Sequence, residues 1–175
     1  MKRITLAFVA LIALALVGNA QAQNTCTGAG GPPLSCNVSA TVSVTVNPLL
    51  RLTLSTAAAT LTNPTETDFD ATHLQEAAAS AVAMVKSNKP WNLSIQSSAA
   101  SWNTAPWAKP ASDLQWSITN GIGYAGLTNS PVNAYALNQG ATGNGITSFF
   151  FNTLYSYAND VPGAYSITVI FTVTQ

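Results

Sequence analysis

Residues 38–46 read VSATVSVTV, and the alternation in that stretch decides the fold class. Val38, Ala40, Val42, Val44 and Val46 fall on one parity; Ser39, Thr41, Ser43 and Thr45 fall on the other. A β-strand turns successive side chains to opposite faces, so period two with β-branched residues on both faces predicts a half-buried strand. Pro48 interrupts the run, yet Leu50, Leu52 and Leu54 keep the same parity. Proline cannot donate to a ladder, which predicts either an edge strand or a kink where the chain passes between sheets. Arg51, between leucines, reads as a solvated strand residue.

Working toward the C-terminus, residues 56–72 are turn-rich around Asn63-Pro64. The stretch from His73 to Val85 (HLQEAAASAVAMV) is ambiguous, because its alanines favour helix. It is read as a helical turn near 73–78 and a strand over about 80–87. That strand is expected to hairpin through Ser87-Asn88-Lys89-Pro90 into a strand at 91–98, where Trp91, Leu93 and Ile95 alternate. Leu114, Trp116 and Ile118 form another strand, and Asn120-Gly121 predicts a hairpin answered near Tyr124–Leu127. Residues 128–145 are Gly/Asn-rich and neutral, as in a mobile surface excursion. Ile146 to Tyr157 is apolar on both parities, which predicts a central strand covered on both faces. Tyr165, Ile167, Val169, Phe171 and Val173 close the chain in strict alternation. About seven or eight strands with regular turn signals predict an all-β, immunoglobulin-like β-sandwich, with a small β-barrel as the alternative.

Working toward the N-terminus, Met1-Lys2-Arg3, an apolar run from Ile4 to Gly18 and Ala20-Gln21-Ala22 have the order of a cleaved secretory signal peptide over residues 1–22. The run falls short of the ~20 apolar residues that span a bilayer. No cysteine directly follows the cleavage pattern, so lipidation is not expected. Removing 22 of the 175 residues leaves 153, enough for one domain with its own core. The expected plan is a disulfide-closed N-terminal segment over 23–37 and a sandwich domain over 38–175. No transmembrane segment is expected after cleavage.

The mature part keeps four basic residues (Arg51, Lys86, Lys89, Lys109) and six acidic ones, a net charge near −2. Nucleic-acid binding needs clustered Lys and Arg, so that class of partner is excluded. Cys26 and Cys36 lie close together, and in an oxidising compartment the simplest reading is a disulfide that ties down the tail. A soft-metal site is not expected, since the lone histidine, His73, is far from both.

Catalytic chemistry is poorly provided. Nucleophilic catalysis needs a base beside the nucleophile, and His73 sits in an Ala-rich segment with no Gly-x-Ser-x-Gly elbow in the chain. Three of the six acids, Glu66, Asp68 and Asp70, crowd one loop. In an extended segment they share one side, the hard-oxygen pattern that calcium takes, and calcium is the one cofactor considered. Trp91 and Trp116 occupy inward strand parity, whereas Trp102 and Trp107 flank a Pro/Ala/Asn loop. Loop aromatics of that kind stack on sugar rings, which makes Trp102 and Trp107 the candidate glycan-binding pair.

Two resemblances follow. Trp91-Asn92-Leu93 and the terminal run Tyr165 to Val173 are similar to bacterial WxL-type surface domains from about residue 80 onward, although Phe171 stands in place of the second tryptophan. That resemblance implies non-covalent attachment at a bacterial cell surface. The chain also resembles chaperone–usher pilins and spore-coat-U-like proteins, exported charge-poor sandwiches ending in an alternating strand. It departs from them in Thr174 and in the close spacing of its cysteines. A strand such as 38–46 can complete a neighbour's sheet. The expected function is a non-enzymatic structural or adhesive protein of the bacterial envelope or surface. Its partners would be a cell-surface polymer, another envelope protein or, through edge strands, a second copy. A carbohydrate-binding module and a strand-exchanged fibre subunit are the alternatives, and the expected location is periplasm, cell surface or outside the cell.

Overall fold

The computed structural model describes residues 26–28, 30–31, 35–103 and 108–175. The predicted signal peptide and Trp107 lie outside the described residues. The chain divides into two compact units, one ending at Val46 and the other spanning Asn47–Gln175. In the first unit Cys26 and Cys36 are disulfide-bonded, with Cα atoms 5.8 Å apart.

The second unit is an all-β sandwich. Its strands are β1 (Leu50–Leu54), β2 (His73–Gln75), β3 (Ala81–Ser87), β4 (Asn92–Ser97), β5 (Leu114–Ser117), β6 (Ala125–Gly126), β7 (Val132–Asn133), β8 (Thr142–Leu154) and β9 (Val169–Thr174). The larger sheet runs β1-β3-β8-β5-β6, with β2 also on β8, and the smaller runs β7-β4-β9. Every ladder is antiparallel. The sheets stay open, so the barrel alternative does not describe this fold.

The long apolar stretch becomes β8, which pairs with β3 and β2 along one side and β5 along the other. It is the central strand expected, starting and ending a few residues earlier. Phe149 and Phe151 from β8 meet Val85, Leu93, Ile95, Leu114 and Trp116 in the core between the sheets. Strand parity places Trp91 and Trp116 inside, at 3% and 6% exposure. Asn120-Gly121 turns β5 back toward β6, where Trp116 faces Ala125. Gly121 and Gly123 take φ values of 81° and 68°, the left-handed region that favours glycine.

Three expectations need correction. The stretch 38–46 enters no ladder; regular pairing begins at Leu50. The strands at 81–87 and 92–97 are not a hairpin, because β3 joins the larger sheet and β4 the smaller. Turn chemistry at 87–90 marks a reversal without saying whether the chain returns beside itself or crosses the sandwich. The only α-helix among the described residues is α1 (Glu66–Asp70), while 73–75 is strand β2. Pairing of β2 with β8 outweighs the weak local preference of the neighbouring alanines. The region 128–145 is also docked in part, with β7 on β4, Trp91 bridged to Gln139, and Ala134 buried.

Candidate functional site

The candidate feature with the clearest geometry is the side of the sandwich where β9 and β1 lie. β9 pairs with β4 alone and β1 with β3 alone among the described residues. The two edges are neighbours across the sheets. The Gln175 side-chain amide donates to the Leu49 carbonyl at 2.7 Å and to Ser87 Oγ at 2.9 Å, holding the end of β9 at the start of β1.

The direction of the β9 backbone groups follows from its neighbours. Ser98 N–H donates to the Thr168 carbonyl at 2.9 Å, whereas Ser97 N–H turns the other way to Thr128 at 2.8 Å. Antiparallel ladders alternate, so residues 168, 170 and 172 address β4 and Val169, Phe171 and Val173 present N–H and C=O to the open side. Val169, Phe171 and Val173 also point their side chains inward, half-buried against the core together with Ile167, Tyr165, Leu52 and Leu54. Phe171 packs on Phe149 with ring centroids 4.8 Å apart. An edge whose backbone groups have no strand partner among the described residues, beside a half-buried apolar row, is a template for another strand.

Residues 38–46 have the complementary character. Val38, Val42, Val44 and Val46 are 56%, 93%, 86% and 76% exposed. Exposed apolar residues scattered singly need no explanation; a regular stripe of them is a candidate interaction surface. The alternation in the sequence predicts one covered face, yet both parities of the segment are exposed in the structure.

Of the predicted glycan pair, Trp107 lies outside the described residues and Trp102 is not displayed as expected. Trp102 is 8% exposed and belongs to the core cluster, with its backbone N–H on the Lys109 carbonyl at 2.8 Å. Loop composition suggested a solvent-facing ring, yet the bridges Ser101–Pro110 and Asn103–Ser166 tie this loop across the sandwich.

The acidic trio falls on α1 rather than on an extended segment, so Asp68 points away from Glu66 and Asp70, which are four apart and share a face. Asp68 accepts from Thr65 N–H at 2.7 Å and Thr65 Oγ1 at 2.6 Å, and these bonds hold its carboxyl below the usual carboxylate range. Asp70 accepts from the Tyr157 hydroxyl at 3.0 Å. Desolvation first, then the bond to Asp70, pushes the Tyr157 hydroxyl above its ordinary pKa. Glu66, Asp68 and Asp70 therefore do not converge, and no group of three metal-ligating side chains occurs among the described residues. His73 is exposed on β2, with Nδ1 2.9 Å from the Ala71 carbonyl.

A buried ion cluster escaped sequence reasoning. Lys109 Nζ contacts Asp160 Oδ1 at 2.6 Å, Asp113 Oδ2 at 3.2 Å and the Leu154 carbonyl at 2.6 Å, and lies 5.1 Å from the Tyr155 ring centroid. The cluster borders a cavity of about 340 Å³. All three ammonium donors are occupied by protein oxygens, so the lysine serves as a clamp between loops. Desolvation raises the Tyr155 pKa from its ordinary value. Lys109 and Asp160 are 51 residues apart, and nothing in their local sequence announces the pairing.

These features define an antiparallel β-sandwich, one side of which carries no further strand among the described residues. No family model matches the chain, and no curated protein matches it. No helix among the described residues is long and apolar enough to cross a membrane.

Proposed function

We propose that this chain is an exported, non-enzymatic structural protein of the bacterial cell envelope or surface, and that it assembles by strand addition. In this reading, residues 38–46 of one copy complete the open side between β9 and β1 of another. The observation that carries it is the match between a nine-residue stripe of exposed alternating valines and an edge strand whose inward row is half-buried. Main-chain hydrogen bonds would supply the attachment, and the apolar parity would supply its register. Head-to-tail donation, in which each copy gives its segment to the next, builds linear polymers, whereas reciprocal exchange between two copies would stop at a dimer. The export signal read at residues 1–22 and the Cys26–Cys36 disulfide agree with an oxidising, extracytoplasmic setting.

The test is the assembly state of the purified chain beginning at Gln23. Mass photometry and non-boiled SDS electrophoresis are expected to show a ladder of polymers. A monomer that stays monomeric at every concentration tested counts against the reading.

A further inference from the structure

We propose that Lys109 and Asp160 condense into an intramolecular amide, with Asp113 as the proton carrier, so that the folded chain holds a covalent link in addition to the Cys26–Cys36 disulfide. The reacting groups are together and largely shut off from water. Lys109 Nζ lies 2.6 Å from Asp160 Oδ1, and the two side chains are 4% and 7% exposed. Asp113 Oδ2 stands 3.2 Å from the same nitrogen and is the more solvent-exposed of the two carboxylates. Two negative partners on one buried ammonium are more than charge balance requires. A condensation needs both: one carboxyl to become the amide and one to move the proton.

Backbone groups fix the approach and single out Asp160 as the carboxyl that is attacked. The Leu154 carbonyl accepts from Nζ at 2.6 Å, which holds the nitrogen in place. Ser156 N–H donates to Asp160 Oδ2 at 2.8 Å, and Asp160 N–H donates to the Ser156 carbonyl at 2.9 Å, which locks the carboxyl in its turn. The Tyr155 ring covers the nitrogen from 5.1 Å. Groups held in contact this way react as one molecule rather than two, without the entropy cost of meeting.

The step balances within the protein. The first proton crosses from Nζ to Asp160 Oδ1, leaving an amine beside a carboxylic acid. Nζ then attacks Cγ, and Asp113 takes the second proton as the N–C bond forms. Negative charge collects on Oδ2, where Ser156 N–H already donates. Asp113 returns its proton to Oδ1, the Cγ–Oδ1 bond breaks and water leaves. Of the three ammonium protons, two depart with Oδ1 and one stays on the amide nitrogen, facing the Leu154 carbonyl. The product replaces a buried ion pair, which is costly to desolvate, with a neutral group.

The link joins the segment leading into β5 to the turn that follows β8, two strands paired through Leu114 and Thr153. Lys109 and Asp160 are 51 residues apart, so the bond closes a long loop and holds this end of the strand pair shut.

Intact mass spectrometry of the reduced chain beginning at Gln23 tests the proposal. The wild type is expected one water, about 18 Da, below the mass calculated from its sequence. Chymotryptic mapping should then find a peptide containing Lys109 joined to one containing Asp160. Lys109→Arg, which keeps the charge but not the amine nucleophile, is expected at its full calculated mass. Asp113→Asn is expected to lower the linked fraction at least tenfold. Folded wild type at its full calculated mass overturns the proposal, as does a loss of water that maps to other residues. Undiminished linkage in Asp113→Asn overturns the role given to Asp113. The wild-type mass decides the central point even where a variant fails to fold.

Discussion

Replacing Val42 by aspartate is expected to abolish assembly while leaving the sandwich intact. Val42 is 93% exposed in the single chain, so its side chain has nearly all of its burial still to gain. Fully burying a valine is worth about 1.5–3 kcal/mol. Aspartate forfeits that gain and adds the cost of placing a carboxylate, with no partner, against the half-buried row of Val169, Phe171 and Val173. Taking about 3 kcal/mol as a floor for the sum, the affinity between copies falls more than 100-fold at 1.4 kcal/mol per factor of ten. The folded monomer should change by no more than about 0.5 kcal/mol, the usual range for an exposed site. Mass photometry over a dilution series measures the first quantity and urea denaturation of the monomer the second. Polymers of Val42→Asp at wild-type concentrations would refute the reasoning; loss of both assembly and monomer stability would show that 38–46 belongs to the fold of its own chain.

Three further outcomes are expected. Gly145→Ala should destabilise the monomer by about 1–3 kcal/mol in urea, because a Cβ there meets Trp91 Cζ2 at 2.8 Å and Thr142 Cγ2 at 2.9 Å; Gly140→Ala, with nothing within 4 Å, is the neutral control. Lys109→Met should cost about 3–5 kcal/mol by stranding the Asp160 carboxylate, whose side chain is 7% exposed, and thermal melts of this variant beside Lys109→Met/Asp160→Asn separate the lost pair from the stranded charge. Calcium at millimolar concentration should leave the melting temperature unchanged, since Asp68 points away from Glu66 and Asp70 and is engaged by Thr65; a rise of several degrees would restore the calcium reading.

What the sequence reveals here depends on whether a signal is local. Parity in Trp91-Leu93-Ile95 and in Tyr165–Val173 places the inward faces correctly, because burial of one face is a property of a single strand. The Asn120-Gly121 reversal is equally local and returns the chain to β5 as expected. Which sheet a strand joins is not local, and the turn at 87–90 could not distinguish a hairpin from a crossing. Trp102 was misplaced for a related reason: its loop is pulled inward by bridges to Pro110 and Ser166, one of them more than 60 residues away. The Lys109–Asp160 clamp has no periodic signature at all. For residues 38–46 the pattern was legible and its consequence was not, since alternation predicts a covered face and says nothing about whether the cover comes from the same molecule.

Amide hydrogen exchange on assembled protein, compared with monomer, tests the central claim most directly. Strand addition predicts that slow exchange appears together in two places, along 38–46 and at Val169, Phe171 and Val173, the β9 residues whose N–H groups face the open side. Assembly in which both segments exchange as fast as in the monomer would contradict it.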